Sequence, residues 1–310
     1  MSTWLVTGAA GFIGSHLVET LLERDESVVG IDNFATGCLE NLKPFLARKQ
    51  FTFFEGDIRN ADLCRKACEG ADFVLHQAAQ CSVLASIEDP ATTHDVNVTG
   101  FLNILIAARQ SAVKRVVFAS SCAVYGHSKQ LPKNEQGPLD FLSPYALSKY
   151  VNELYAKMSG VETIGLRYFN IYGPRQDANG AYAAVIPRWI SALSRGEQVT
   201  IYGDGETTRD FVFVEDVVQA NLLAATKQTD EGAGRVFNVA SGTSVSLNGL
   251  YKTLSAVLNT TAPPTYSDFR PGDIRHSSAD TSNIERFLGF KASVTLEEGL
   301  RRTIPAWRSA

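Results

Sequence analysis

The chain has 310 residues, enough for one large domain or two unequal ones around a substantial core. Its 33 acidic and 29 basic side chains leave a formal charge of -4, and Lys and Arg are scattered rather than clustered. That argues against a nucleic-acid footprint or a polybasic membrane patch. No apolar run approaches the ~20 residues needed to span a bilayer, and a strand-like segment begins by Trp4, so cytoplasmic residence is the expectation. The five cysteines, Cys38, Cys64, Cys68, Cys81 and Cys122, are odd in number and contain no C-x-x-C pair. They indicate neither a disulfide framework nor a zinc site, and Cys64 and Cys68, one helical turn apart, read as small buried apolar residues.

In chain order, Trp4-Leu5-Val6-Thr7 runs into Gly8-Ala9-Ala10-Gly11-Phe12-Ile13-Gly14, after which Ile13, Leu17, Leu21 and Leu22 recur at helical spacing. This is strand, glycine turn, helix. Glycines three apart allow a tight turn and close approach to a pyrophosphate, whose charge meets free N–H groups at the helix start. The same spacing also suits a purely structural turn. A second strand, Ser27 to Asp32, places an acid about 20 residues beyond the turn, where a carboxylate accepts both ribose hydroxyls of NAD and repels the extra phosphate of NADP.

A third run, Phe51 to Phe54, ends at Glu55-Gly56-Asp57-Ile58, and a fourth, Phe73 to Leu75, ends at His76-Gln77-Ala78-Ala79. His76 reads as a hydrogen-bonded wall residue rather than a catalyst. Helical pattern covers Asp95 to Ala112. A fifth strand, Arg115 to Ala119, then delivers Ser120-Ser121-Cys122-Ala123-Val124-Tyr125-Gly126. Alternation at this spacing predicts an α/β fold with a doubly wound parallel sheet, whose strand ends gather ligands.

Ser143-Pro144 is a helix-start signal, and in the helix that follows Tyr145 and Lys149 share a face, their Cβ atoms roughly 5–6 Å apart. An ammonium that close favours phenolate and would make Tyr145 a usable base near neutrality. An ordinary amphipathic helix would show the same two residues. A sixth strand, Thr163 to Phe169, follows. Beyond Asn170 the chain is richer in turns, at Gly173-Pro174, Asn179-Gly180 and Gly203-Asp204-Gly205, with one more strand at Val236 to Ala240 and a helix over Leu247 to Leu258. The expected division is a dinucleotide-binding domain over 1–169, to which segments around 210–240 return, and a smaller substrate-binding α/β domain over 170–310.

These motifs, with Arg167-Tyr168-Phe169-Asn170-Ile171-Tyr172-Gly173-Pro174, Arg209-Asp210-Phe211-Val212-Phe213-Val214 and Arg270-Pro271-Gly272-Asp273, resemble the extended short-chain dehydrogenase/reductase family nearly end to end. Within it they are most similar to the UDP-hexose 4-epimerases. The resemblance implies a Rossmann-type sheet and NAD held by Gly8, Gly11, Phe12, Ile13, Gly14, Asp32 and Asn33. Asp57 and Ile58 would flank the adenine, Gln77, Ala78, Ala79 and Tyr168 complete the cofactor set, and Lys149 reaches the nicotinamide ribose. By the same resemblance Tyr145 is the base and Ser121 bonds the sugar O4, with Ser120 a weaker candidate. The sugar would be oxidised at C4, turned, and reduced on its other face.

The turning requires the nucleotide to stay anchored while the hexose swings. Arg209 and Arg270 would hold the diphosphate, because an anionic substrate needs local cations in an acidic chain. Asp273 would take the uridine ribose, Asn170 the sugar-phosphate region and Tyr202 the uracil, with Ser82, Cys122, Ala184 and Val185 completing the substrate set. Dehydratases that resemble this chain carry an Asp-Glu pair before Val-Tyr-Gly, and decarboxylases a Glu. Cys122 and Ala123 stand there and can do neither job.

The resemblance also bears on the sugar. Ser277 aligns where a bulky Tyr would exclude a 2-acetamido group, and the segment Asn179 to Pro187 is similar to the subgroup acting on UDP-GlcNAc and UDP-GalNAc, with Asn179 near the acetamide. Cys81 and Cys122 replace smaller residues and would narrow the pocket. The leading expectation is a UDP-N-acetylhexosamine 4-epimerase, with UDP-glucose/UDP-galactose epimerisation as the alternative. A non-catalytic NAD-sensing regulator is disfavoured by the retained Ser121, Tyr145 and Lys149. A homodimer packed through Thr93–Ser111 and Tyr145–Met158 is implied by resemblance alone.

Overall fold

The computed structural model describes residues 1–177, 184–228, 234–269 and 273–308, with side chains through 305. Its centre is a seven-stranded sheet of β1 (Thr3–Thr7), β2 (Ser27–Asp32), β3 (Phe51–Glu55), β4 (Phe73–His76), β5 (Arg115–Ser121), β6 (Thr163–Tyr168) and, out of turn, β11 (Arg235–Val239). The order is β11-β6-β5-β4-β1-β2-β3 and every pairing is parallel. All seven runs read as strands from the sequence lie here. They are nearly continuous hydrophobic runs because both faces are covered.

The strands alternate sides residue by residue. Trp4, Val6, Val28, Leu75, Val117 and Leu166 join a core with α1 (Phe12–Glu23), α8 (Val214–Thr226) and α10 (Ser282–Leu288). Leu5, Ile31, Val74, Val116 and Phe118 join another with α2 (Ala61–Cys68) and α5 (Gly100–Gln110), where Cys64 and Cys68 are buried as expected. The order reverses between β1 and β4, and the crevice beyond their carboxyl ends is where such sheets take ligands.

Two short helices, α3 (Val83–Glu88) and α4 (Pro90–His94), follow β4, and α6 (Pro144–Met158) follows β5. The smaller part is built on α7 (Val185–Ser194), α9 (Leu247–Leu258) and α11 (Leu296–Arg308), which share a core around Trp189, Leu250 and Phe213. Its strands pair in twos: β7 (Asn170–Tyr172) with β10 (Phe211–Phe213), β8 (Thr200–Tyr202) with β13 (Thr265–Ser267), and β9 (Thr208–Arg209) with β12 (Val245–Ser246).

The helix expected over Asp95 to Ala112 departs from regularity. Asp95–Thr99 forms a π-turn before α5 begins. Asn97 explains the local geometry: its Oδ1 accepts from Gln80 N at 2.8 Å, while its Nδ2 donates to Gln80 O and to Ser148 Oγ, each at 3.0 Å. Widening the turn aims this amide at the loop after β4 and at α6, which a hydrophobic pattern does not register.

Helix α6 begins as the sequence predicts, with Pro144 in its first turn and Ser143 Oγ accepting from Ala146 N at 3.2 Å. Two turns on, buried Glu153 accepts from Arg167 of β6 through both oxygens, at 2.9 and 2.7 Å, and from Ser120 Oγ at 2.6 Å. Arg167 also donates to Tyr125 Oη at 2.9 Å, which in turn donates to Asn238 at 2.6 Å. Removing one member of a buried ion pair strands the other charge. Glu153→Ala should therefore cost about 3–5 kcal/mol, read as a lower urea midpoint at unchanged m-value.

Candidate active site

The cofactor end is set by β1 and β4. Gly8 has φ +69°, and a Cβ there would lie 2.8 Å from Ala78 N, so the turns after the two strands touch at the point of reversal. A Cβ on Gly14 would overlap the Gly8 carbonyl oxygen. Helix α1 starts at Phe12 without a side-chain cap or an acid in its first turn, which leaves its N–H groups for an anion. Asp32 closes β2, nearly buried, and accepts from Ala10 N at 2.9 Å and Phe34 N at 2.8 Å. Burial raises its pKa, and these N–H groups oppose the rise.

The rest of the expected cofactor set is partly engaged within the protein. Asn33 donates to Asp57 at 2.8 Å, and Asp57 is held down to about 2, chiefly by its bonds with Arg59. Ile58 is buried against Gly100. Gln77 donates to Asn221 at 3.0 Å, and the Tyr168 hydroxyl bonds both, at 3.2 and 3.1 Å. Ala78 N meets Thr7 Oγ1, Ala79 follows in the same turn, and His76 Nδ1 pairs with Thr7 Oγ1 at 2.9 Å, the wall role expected of it.

The catalytic candidates meet where β5 ends beneath α6. Lys149, buried, donates to Ala119 O at 2.9 Å, and its Nζ lies 5.8 Å from the centre of the Tyr145 ring. Tyr145 lies close enough to Ser121 for that hydroxyl to favour its phenolate, and Ser121 Oγ accepts from Ala123 N at 3.1 Å. Ser120 points away to Glu153, which removes it from the reacting groups.

One expectation is corrected. The phenol is not lowered by Lys149: burial pushes Tyr145 well up, the Cys81 and Cys122 thiols add to the rise, and only the Ser121 hydroxyl opposes it. Lys149 is itself pushed down to about 8 by burial. Desolvation of both groups outweighs their mutual attraction because the ammonium is aimed at a carbonyl.

The substrate candidates form a second cluster. A cavity of about 250 Å³ is lined by Asn170, Ala184, Val185, Tyr202, Arg209 and Asp273, six of those expected. Arg209 donates to Ile274 O at 2.7 Å and to Thr208 O at 2.9 Å, and lies 3.8 Å from the Asp273 carboxylate. Cys122 connects this cluster to Tyr145. It is electrostatically coupled to Tyr145, to Arg209 and to Lys133, and burial pushes its thiol up to about 11.

Ser82, Ser121, Cys122, Tyr145 and Ser277 do not line that cavity. Ser82 caps α3, accepting from Ala85 N at 3.1 Å. Ser277 is buried, its carbonyl accepting from Ser244 Oγ, next to a segment bridged by Lys133 and Ala279. Asn179 and Arg270 lie outside the described residues. Sequence reasoning missed Asn221, Asn97 and Arg188. The signal available for Asn221 was an amide between apolar neighbours on α8, where the other amide, Gln219, is exposed.

A family model, described as the NAD dependent epimerase/dehydratase family, matches residues 4–240. The chain belongs to this family. NAD is its cofactor, and the tight Gly8–Gly14 cradle, the uncapped start of α1 and the Asp32 carboxylate fit a dinucleotide. A putative UDP-glucose 4-epimerase of Methanocaldococcus jannaschii is 39% identical over 97% of this chain and 96% of its own. The solved UDP-N-acetylglucosamine 4-epimerase from Methanobrevibacter ruminantium, in complex with UDP-N-acetylmuramic acid, is 41% identical at TM-score 0.94, covering 99% of this chain and 98% of that one. A UDP-glucose 4-epimerase from Thermotoga maritima, solved with UDP-glucose, is 36% identical at TM-score 0.91 and covers 99% of both chains.

For an epimerase/dehydratase family member, Gly14→Ala should abolish cofactor retention, since the new methyl meets main chain that cannot yield. The check is NAD released on denaturing the purified variant, compared with wild type.

Proposed function

We propose that this NAD-dependent UDP-sugar 4-epimerase interconverts UDP-N-acetylglucosamine and UDP-N-acetylgalactosamine through a transient 4-keto sugar. The observation that carries the proposal is the placing of Tyr145 beside Ser121 and buried Lys149, a proton-transfer group at the end of β5. When bound, NAD supplies a hydride acceptor and donor for C4 and a positive charge beside the phenol. Tyr145 Oη takes the O4 proton as the carbinol is oxidised and returns it on reduction. Ser121 Oγ orients O4. Lys149 holds positive charge below a pH of about 8 and is fixed by Ala119.

Inversion needs a fixed nucleotide and a moving hexose. The cavity of Arg209, Asp273 and Tyr202 serves the first need, being a different place from Tyr145. Asn170, Ala184 and Val185 complete it, and Asn179 and Arg270 belong to the same proposed set. Ser277 supports the acetamido preference, because a hydroxymethyl leaves space that a phenol ring would fill. The second reading, UDP-glucose/UDP-galactose exchange, is favoured by two thiols: exposed Cys81 and half-buried Cys122 both act electrostatically on Tyr145 and take up room near it. A cytoplasmic supply of sugar nucleotides for polysaccharide synthesis suits either reading. So does a homodimer through α5 and α6, whose outer faces expose Ile106, Leu147, Leu154 and Met158.

Purified NAD-loaded protein should form UDP-GalNAc from UDP-GlcNAc without added reductant, followed by proton NMR; no conversion would reject the proposal. Tyr145→Phe should lower kcat by about 10²–10⁴ while NAD stays bound, measured by the same assay and by released cofactor. Ser277→Tyr should impair turnover of the acetylated pair far more than that of UDP-glucose. Equal losses on both would assign Ser277 a structural role only.

A further inference from the structure

The cavity in front of Arg209 contains another arginine, which no motif assigns. Arg188 stands on the exposed side of α7, one turn from its start, and lines both this cavity and a neighbouring one of about 310 Å³. The cations around the two cavities differ in what they already hold. Arg209 is bonded to two carbonyls through one nitrogen and sits beside Asp273, which commits part of its guanidinium to the wall. Arg195, in the second cavity, is spent on Glu197, at 2.8 Å through two nitrogens, and on Ser191. Among the described residues, Arg188 has no carboxylate partner and no side-chain hydrogen bond.

An uncommitted guanidinium presents donors in a planar fork suited to phosphate oxygens, without first breaking an internal bond. Among the described residues, Arg188 and Arg209 give the first cavity two positive charges against the one carboxylate of Asp273, a local surplus in a chain of net charge -4. We infer that Arg188 is a further ligand of the substrate's diphosphate and supplies exchangeable charge there beside Arg209. This rests on the reading of the cavity as the UDP site. It also gives α7 a binding role, since the helix carries Arg188 between the two cavities.

The test is calorimetric titration of NAD-loaded wild type, Arg188→Met and Arg188→Lys with UDP and, separately, with uridine. Loss of a charge-assisted contact predicts UDP binding about ten- to a hundredfold weaker in Arg188→Met, uridine binding unchanged, and partial recovery in Arg188→Lys. The salt dependence of UDP binding should also become shallower in Arg188→Met. UDP binding equal to wild type, or equal losses for UDP and uridine, would overturn the inference. Failure of the epimerase reading is separately visible: no UDP-GalNAc forms by NMR, yet UDP binding still depends on Arg188.

Discussion

The rest of the site depends on how α6 is fastened to the strand beneath it. Tyr145, Lys149 and Glu153 are spaced by four, so all three face the sheet, and each meets a successive part of the end of β5. Lys149 bonds the Ala119 carbonyl, Glu153 bonds the Ser120 hydroxyl, and Tyr145 lies beside Ser121. A shift of α6 along β5 would disturb all three at once. The bidentate Arg167 bond ties Glu153 to β6 as well, so the helix is referenced to two strands. The desolvation cost of these charges is offset by geometry, and what the arrangement supplies is register.

That register extends to the sugar side. Arg167 bonds Tyr125, Tyr125 bonds Asn238, and Asn238 Nδ2 donates to the carbonyls of Lys133 and Asp280. Lys133 pairs with the stretch leading from Ser277. The helix bearing Tyr145 and the wall bearing Ser277 are therefore parts of one buried polar network, although they are more than a hundred residues apart in sequence. Networks of this kind hold a unique arrangement when every member is satisfied.

Much of this was legible in the sequence, for definite reasons. Strand runs such as Val116 to Ala119, buried on both faces, announce themselves by continuous apolar composition, and the Gly8–Gly14 spacing by its backbone demands. Ser143 and Pro144 fix the start of α6, so the shared face of Tyr145 and Lys149 followed from helical geometry. What escaped was set by partners distant in sequence. Asn97 sits in a widened turn because of Gln80 and Ser148, and Asn221 is polar inside a largely apolar helix because of Gln77 and Tyr168. The ionisation of Tyr145 escaped for another reason: spacing gives proximity to Lys149, whereas burial and the direction of the ammonium decide the charge.

The raised phenol has a consequence for how the cofactor is used. Burial favours the protonated form of Tyr145, so nearness to Lys149 is not what would make this phenol a base. It gains strength only as added positive charge and a sugar hydroxyl replace what burial took away. A chain built this way ties its proposed base to its cofactor: the same solvent exclusion that sharpens proton transfer makes the phenol depend on charge brought beside it.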